Sequence, residues 1–181
     1  MSEAETAGSG MSNWRLSSFN GALLAAYFIP AWTIIAFAIM ISPIHALYER
    51  PSISVALFIS DHLHLNGMAT VRFAWLLALG RMTVVAFFAI FLVLISRPKI
   101  RQSGGCDEAL AMALGIGSLI SFASMLMASQ VGETAAMRLH ATELLLMLGT
   151  GIVLVFERPA QPEAALPREL PLQQPQLVDN R

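Results

Sequence analysis

The chain has 181 residues, of which 56% are hydrophobic and 13% charged, and its formal net charge is -1. Soluble domains contain about 45–50% apolar and about 25% charged residues, so this composition excludes a soluble domain and predicts a membrane protein. A total of 11 Lys and Arg leaves no basic surface for nucleic acid, and the single cysteine excludes an intrachain disulfide and a multi-cysteine metal site.

Residues 1–16 are predicted to form a flexible segment outside the bilayer. The opening stretch "MSEAETAGSGMSNW" contains two glutamates and small polar residues but no basic region, which argues against a cleaved secretory signal. We therefore expect the first apolar segment to remain in the mature protein.

Four apolar segments follow, each with roughly 20 residues, the length that crosses a hydrocarbon core of about 30 Å. They comprise residues 21–42, 73–96, 109–128 and 139–156. The sequence therefore predicts an all-α, polytopic membrane protein with a four-helix transmembrane domain over residues 17–157.

The longest connection, residues 43–68, joins the first two spans. In its middle, "SISVALFISDHLHLNG", large apolar residues alternate with smaller ones until Phe58 and Ile59 interrupt the pattern. We expect a short interfacial helix here, with an extended course as the alternative.

The distribution of Lys and Arg predicts the orientation, because basic residues next to spans are retained on the cytoplasmic side. One side would carry Arg15, Arg97, Lys99, Arg101, Arg158 and Arg168, and the other Arg50, Arg72 and Arg138. Both termini are therefore expected in the cytoplasm. Short, acid-poor loops favour the inner (plasma) membrane of a bacterium as the location.

The last segment, residues 158–181, is rich in Pro and Gln and has no sustained helical face. This composition predicts an extended or disordered cytoplasmic tail. Such a tail suits tethering better than catalysis.

Two ionisable residues fall inside apolar spans. Arg81 is predicted about 24 Å and Glu143 about 21 Å from the cytoplasmic boundary, so the two side chains share one depth. Arg81 could extend its guanidinium towards the headgroups. The alternative is an intramembrane ion pair between Arg81 and Glu143, because charged groups inside spans usually face the bundle interior and pair with each other.

Small residues recur every fourth position in the third span, at Ala109, Ala113, Gly117 and Ser121. This spacing lets two helix backbones approach closely, which favours helix association in lipid. The pattern predicts a packing face, used inside the bundle in preference to self-association.

All four histidines, His45, His62, His64 and His140, fall on the predicted outer side. Imidazoles are ligands for copper, zinc, iron and haem iron. The sequence thus allows a haem or transition-metal site, although the alternative, that these are solvated or hydrogen-bonded interfacial histidines, fits the same pattern.

The chain contains no hydrolase elbow, P-loop, zincin helix or dinucleotide fingerprint, so no catalytic residue is predicted. The leading hypothesis is a membrane protein that acts by contact, as an accessory, assembly or regulatory subunit bound to other membrane subunits or to itself. The alternatives are a haem- or metal-binding redox protein and a small channel or proton-coupled transporter that uses Arg81 and Glu143.

Overall fold

The computed structural model describes residues 15–97, 100 and 105–157, and within these ranges every regular element is helical. In chain order the elements are α1 (Leu16–Ile41), α2 (Pro43–Leu47), α3 (Ile53–Phe58), a one-turn π-helix (Ile59–Leu63), α4 (Gly67–Ile95), α5 (Asp107–Gln130) and α6 (Thr134–Glu157). Helices α1, α4, α5 and α6 are long and apolar enough to cross a membrane. The predicted all-α chain with four helices of spanning length is therefore confirmed.

The long helices extend beyond the apolar segments, as the start of α4 illustrates. It begins at Gly67 instead of Phe73, because Asn66 Oδ1 accepts a hydrogen bond of 2.8 Å from the Ala69 backbone N–H and caps the helix. With 29 residues, α4 is about 42 Å long and exceeds a hydrocarbon core of about 30 Å. Residues 1–14 of the predicted flexible segment 1–16, and the predicted tail 158–181, lie outside the described residues.

The four long helices form a ring in which each packs beside two others. Helices α4 and α6 flank α1 on either side, and the same two helices flank α5. We call the end at which residues 42–66 connect α1 to α4 the loop end. We call the opposite end, where α1 begins and α6 ends, the terminal end.

An apolar plug fills the ring between its middle and the terminal end. Phe28 of α1 stacks on Phe88 of α4, with ring centroids 5.8 Å apart. The plug consists of five fully buried side chains, Phe28, Phe88, Phe91, Leu110 and Met147. None of these side chains has an O–H or N–H group, although Thr150 of α6 is also buried in this half.

The small residues of α5 face the interior. Ala109, Ala113, Gly117 and Ser121 are all buried. A Cβ atom added at Gly117 would lie 2.6 Å from Met147 Sδ and 3.5 Å from Val84 Cγ1. The predicted packing face is therefore directed towards α4 and α6.

The connection at the loop end is helical and folds over the bundle. Of the two alternatives for this segment, the structure has the helical one, in α2, α3 and the π-helix. Val55, Ala56 and Ile59 are buried and belong to one apolar cluster with residues of α1 and α4. Residues 52–56 thus act as a cover on the ring in addition to connecting two helices.

A polar clasp joins three helices at the terminal end. Arg15 forms an ion pair of 2.6 Å with Asp107 at the start of α5 and donates to the Glu157 carbonyl oxygen at the end of α6. The Glu157 carboxylate accepts the backbone N–H groups of Leu16 and Ser17, each at 2.9 Å. These N–H groups have no partner within α1, so a carboxylate at this position stabilises the helix start.

Cys106 lies beneath the clasp and is buried. Burial raises the pKa of its thiol, and the neighbouring Asp107 carboxylate adds to the effect. The thiol therefore stays protonated and unreactive near neutral pH, since the thiolate is the nucleophile.

Substitution of Gly21 tests how closely the helices pack at the terminal end. Its added Cβ would lie 2.9 Å from Leu110 Cδ2 and 2.9 Å from Phe91 Cζ, whereas no described atom lies within 4 Å at Gly149. We expect Gly21→Leu to lower the free energy of unfolding by about 1–3 kcal/mol through overpacking, and Gly149→Leu to leave it unchanged. Thermal melts in mild detergent measure both, and equal melting temperatures for the two variants would contradict this packing.

Candidate functional site

Buried polar side chains from all four long helices and the loop contact one another in one layer across the ring. Those on the long helices lie about 21 to 26 Å from the terminal end, at a rise of 1.5 Å per residue. The exposed fractions of Arg81, His140 and Glu143 are only 2%, 3% and 7%. This polar layer consists of Trp32 of α1, Ser52 of the loop, Arg81 of α4, Ser121 of α5, and His140 and Glu143 of α6.

Glu143 is the acceptor at the centre of the layer. Its Oε1 accepts a hydrogen bond from Trp32 Nε1 at 3.3 Å. Its Oε2 accepts one from the Ser121 hydroxyl at 3.2 Å and lies 3.0 Å from His140 Nδ1. An ionised carboxylate can only accept, so the indole and the hydroxyl suit the charged form. One carboxylate thereby connects α1, α5 and α6.

Trp32 separates the two charges that the sequence paired. Arg81 Cζ lies 5.9 Å from the centroid of the Trp32 ring, within the range of a cation–π interaction, while the indole N–H binds Glu143. No nitrogen of Arg81 lies within 4.0 Å of a Glu143 oxygen, although both side chains are described. The proposed direct ion pair is thus replaced by an arrangement in which the indole contacts both groups.

The loop reaches Arg81 through Ser52. Arg81 NH1 donates a hydrogen bond of 3.2 Å to the hydroxyl of Ser52, which immediately precedes α3 and is fully buried. The guanidinium is therefore turned into the bundle and does not extend to the headgroups. Arg81 Nε is buried and has no hydrogen-bond partner among the described residues.

One ring nitrogen of His140 contacts Glu143, and the other has no hydrogen-bond partner in the described part of the chain. When Glu143 is ionised, His140 Nδ1 must carry the proton of their hydrogen bond, because the carboxylate cannot donate. In a neutral imidazole Nε2 is then an acceptor with a free lone pair. This atom is buried and has no partner among the described residues.

The other three histidines do not join His140. His45 is exposed on α2, and His62 stacks on Phe58 at a centroid distance of 5.1 Å. His64 is exposed and follows the π-helix with a positive φ of 45°. In the part of the chain that the structure describes, no three His, Cys, Asp or Glu side chains are grouped to hold a metal ion. The hypothesised metal or haem site with ligands drawn from these four histidines therefore stays a prediction, because the described residues bring no three such ligands together.

A cleft of 440 Å³ opens at the loop end, close to the polar layer. One wall comes from the residues around Pro51 and the other from the first turns of α6. Its lining consists of Arg50, Pro51, Ile53, Glu133, Ala135, Ala136 and Leu139. Ser52 and His140 do not line the cleft themselves, but Ser52 lies between two lining residues in the sequence, and His140 lies one helical turn beyond Ala136 on the same face of α6. Two members of the layer are thus direct neighbours of lining residues.

Sequence reasoning missed Trp32 and Ser52 as members of the site. Tryptophan usually lies at the ends of spans, so Trp32 in the middle of the first apolar segment was an available signal for a polar partner inside the bundle. Ser52 carried no signal, because its position depends on how the loop folds. Ser121 was predicted as a packing residue and also donates to Glu143.

Comparison of this chain with protein-family models, with curated proteins and with solved structures finds no match.

Trp32→Phe tests the arrangement of the layer. The change removes the N–H donor to Glu143 and weakens the contact with Arg81, so we expect the free energy of unfolding to fall by about 1–3 kcal/mol. Trp75→Phe is the matched control, because Trp75 is 48% exposed on α4. Thermal melts of both variants in mild detergent make the comparison, and equal stability would show that Trp32 does not hold the layer.

Proposed function

We propose that this multi-pass membrane protein is a small proton-coupled carrier, in which Glu143 binds the proton and Arg81 is the counter-charge. One observation carries the proposal: a buried carboxylate accepts donors from separate helices while the nearest guanidinium is held apart by Trp32. Ionisable groups inside spans commonly mark proton relays and substrate pathways. The layer therefore favours this function over the contact role that the sequence placed first.

The geometry also suggests how a proton would be coupled to the shape of the bundle. Hydrogen bonds to a charged acceptor contribute about 1.5–3 kcal/mol each. Protonation of Glu143 removes the charge that Trp32 and Ser121 bind, so the contacts of α1 and α5 with α6 weaken together. A proton can therefore shift the equilibrium between two packings of the ring, as alternating access requires.

Proton flux in proteoliposomes tests this function. A pH dye is enclosed in the vesicles, and gradients of single solutes, such as amino acids, carboxylates, sugars and monovalent cations, are imposed across the membrane. We expect at least one gradient to drive proton movement, and we expect Glu143→Gln to abolish it because an amide cannot bind the proton. Glu108→Gln, at an exposed position in the first turn of α5, is the matched control and should retain the flux.

Proton movement that is the same in empty vesicles, in the parent protein and in Glu143→Gln would contradict the carrier function.

The contact role, as an accessory or assembly subunit, remains a second candidate because of a lipid-facing groove. The groove has a volume of 700 Å³ and runs between α5 and α6, with Gly115, Ser118 and Gly151 among its lining residues. No described atom lies within 4 Å of a Cβ added at Gly115 or Gly151, so another helix could approach closely.

Gly151→Leu distinguishes the contact role from the carrier role. A leucine here would fill the groove, so we expect loss of any self-association or bound subunit that native mass spectrometry detects on the purified parent. Gly149→Leu, on the same helix but outside the groove, should retain the parent mass. A parent that is a monomer without bound subunits would contradict the contact role.

We propose that the protein lies in the inner membrane of a bacterium with both termini in the cytoplasm. The support is the distribution of Lys and Arg, of which Arg15 and Arg97 lie at the terminal end and Arg50, Arg72 and Arg138 towards the loop end. A fluorescent reporter that folds only in the cytoplasm should be bright when fused to the C-terminus, and a dark fusion would reverse this orientation.

A further inference from the structure

Unsatisfied polar atoms are concentrated in the half of the bundle interior towards the loop end. Buried polar groups almost always have a partner, and where the protein supplies none, the partner is usually water. In the described part of the chain, four side-chain atoms are buried without a partner: Ser17 Oγ, Ser54 Oγ, Arg81 Nε and His140 Nε2. The last three lie in the polar layer or between it and the loop end, whereas Ser17 lies beside Glu157 in the clasp, separated from Glu143 by the apolar plug. Three of the four atoms that need water are therefore on the loop-end side of Glu143 or in the layer itself.

The loop-end cleft can supply that water. Its 440 Å³ exceeds the roughly 30 Å³ that one water molecule occupies in the liquid, so it has room for several. Arg50 and Glu133 lie in its walls, and neither forms an ion pair within 4.0 Å among the described residues. Their charges stay available to hold water where the cleft opens.

The half of the bundle towards the terminal end is filled mainly by apolar side chains. Between Glu143 and the terminal end lies the apolar plug, whose side chains are less than 2% exposed. Met147 follows Glu143 by one helical turn, and Phe28 precedes Trp32 by one turn. Below the plug, the clasp of Arg15, Asp107 and Glu157 joins the starts of α1 and α5 to the end of α6. Besides Asp107 of the clasp, the buried polar side chains on this side are Ser17, Ser18 and Thr150, and among the described residues none of them is hydrogen-bonded to a member of the polar layer. A proton therefore has no continuous hydrogen-bonded route across the plug.

We propose that Glu143 exchanges its proton with the aqueous phase at the loop end, through the loop-end cleft and His140, and not with the phase at the terminal end. This proposal specifies the access route of the proposed carrier and rests on that function for the role of Glu143. It assigns His140 as the relay and residues 50–53 as the wall that controls access.

Each proton transfer on this route is balanced. A hydronium ion that enters from the cleft gives a proton to the lone pair of His140 Nε2, which leaves water and an imidazolium. The proton on Nδ1 then moves to Glu143 Oε2 along their 3.0 Å contact. The products are a neutral carboxylic acid and a neutral imidazole that carries its proton on Nε2.

The groups around Glu143 come from every long helix. Trp32 and the more distant Tyr27 face it from α1, Arg81 from α4, Ser121 from α5 and His140 from its own helix. Because Trp32 donates to Glu143 directly, its fluorescence reports whether the carboxylate carries a charge. The double variant Trp14→Phe, Trp75→Phe leaves Trp32 as the only tryptophan, since the chain has three.

A one-sided pH jump on proteoliposomes of this double variant tests the route. A C-terminal affinity tag separates vesicles with the terminal end outward from vesicles with the loop end outward. Rapid acidification of the external buffer should change Trp32 emission promptly when the loop end faces outward. With the terminal end outward, we expect the response to be slower by about tenfold or more, which corresponds to about 1.4 kcal/mol in the barrier. Addition of Glu143→Gln should abolish the signal.

Two further variants test the cleft and the relay. Ala135→Phe fills the cleft from an exposed position of α6 and should slow the response in loop-outward vesicles by about tenfold, or about 1.4 kcal/mol. Leu145→Phe, at a position that is 71% exposed on the same helix, should leave it unchanged. His140→Gln keeps a donor for Glu143 but cannot accept and release the proton, so it should also slow the response.

The outcomes separate this proposal from the proposed function. An equal or faster response with the terminal end outward overturns the access route, while solute-driven proton flux that depends on Glu143 would still support the carrier. If Ala135→Phe leaves the response unchanged, the cleft is not the route. If His140→Gln leaves it unchanged, His140 is not the relay. No response of Trp32 in either vesicle population overturns the route and also removes Glu143 as a proton-binding group.

Discussion

The packing of the bundle depends on the position of Trp32 between two opposite charges, those of Arg81 and Glu143. A guanidinium and a carboxylate in a medium of low dielectric need polar partners, and a direct pair is the simplest way to supply them. Here the indole presents its ring to Arg81 and its N–H to Glu143, so one side chain contacts both charges. Because Trp32 belongs to α1, Arg81 to α4 and Glu143 to α6, the relative positions of three helices depend on this contact.

The two ends of the bundle support the layer in different ways. At the terminal end, the clasp joins the helix ends, and the plug fills the interior above it with apolar side chains. At the loop end, α3 is packed against the ring, and Ser52 binds Arg81 from above. The molecule is therefore asymmetric about its polar layer, because an apolar plug fills one half and the other half contains a cleft and two of the buried polar residues without a full set of partners, Ser54 and His140. This asymmetry supports the proposal that Glu143 exchanges its proton at the loop end.

The helical architecture could be predicted from the sequence because each span depends on a local property. An apolar run of about 20 residues specifies a spanning helix whatever its neighbours are. Counting residues from the span ends also placed Arg81 and Glu143 at one depth, and a spacing of three residues placed His140 beside Glu143 on one helical face. These relations follow from helix geometry alone, and the structure has all of them.

The contacts between helices could not be predicted in the same way. The insertion of Trp32 between Arg81 and Glu143 depends on the rotation of three helices about their axes, which residue counting does not specify. The contribution of Ser52 depends on how residues 42–66 fold over the ring. The histidines show the same limit, since His45, His62 and His64 share a side with His140 but are exposed while His140 is buried. The depth of a residue along its span and the side of the membrane on which it lies can be predicted from the sequence. Which side chains contact one another depends on how the helices pack.

The proposed function requires Glu143 to bind a proton within the bundle. The most direct measurement is an infrared difference spectrum of the reconstituted protein between high and low pH. We expect a carbonyl band of a protonated carboxylic acid to appear at low pH, to be lost in Glu143→Gln and to persist in Glu108→Gln. A difference spectrum of Glu143→Gln identical to that of the parent would contradict the account, because the band would then not belong to Glu143.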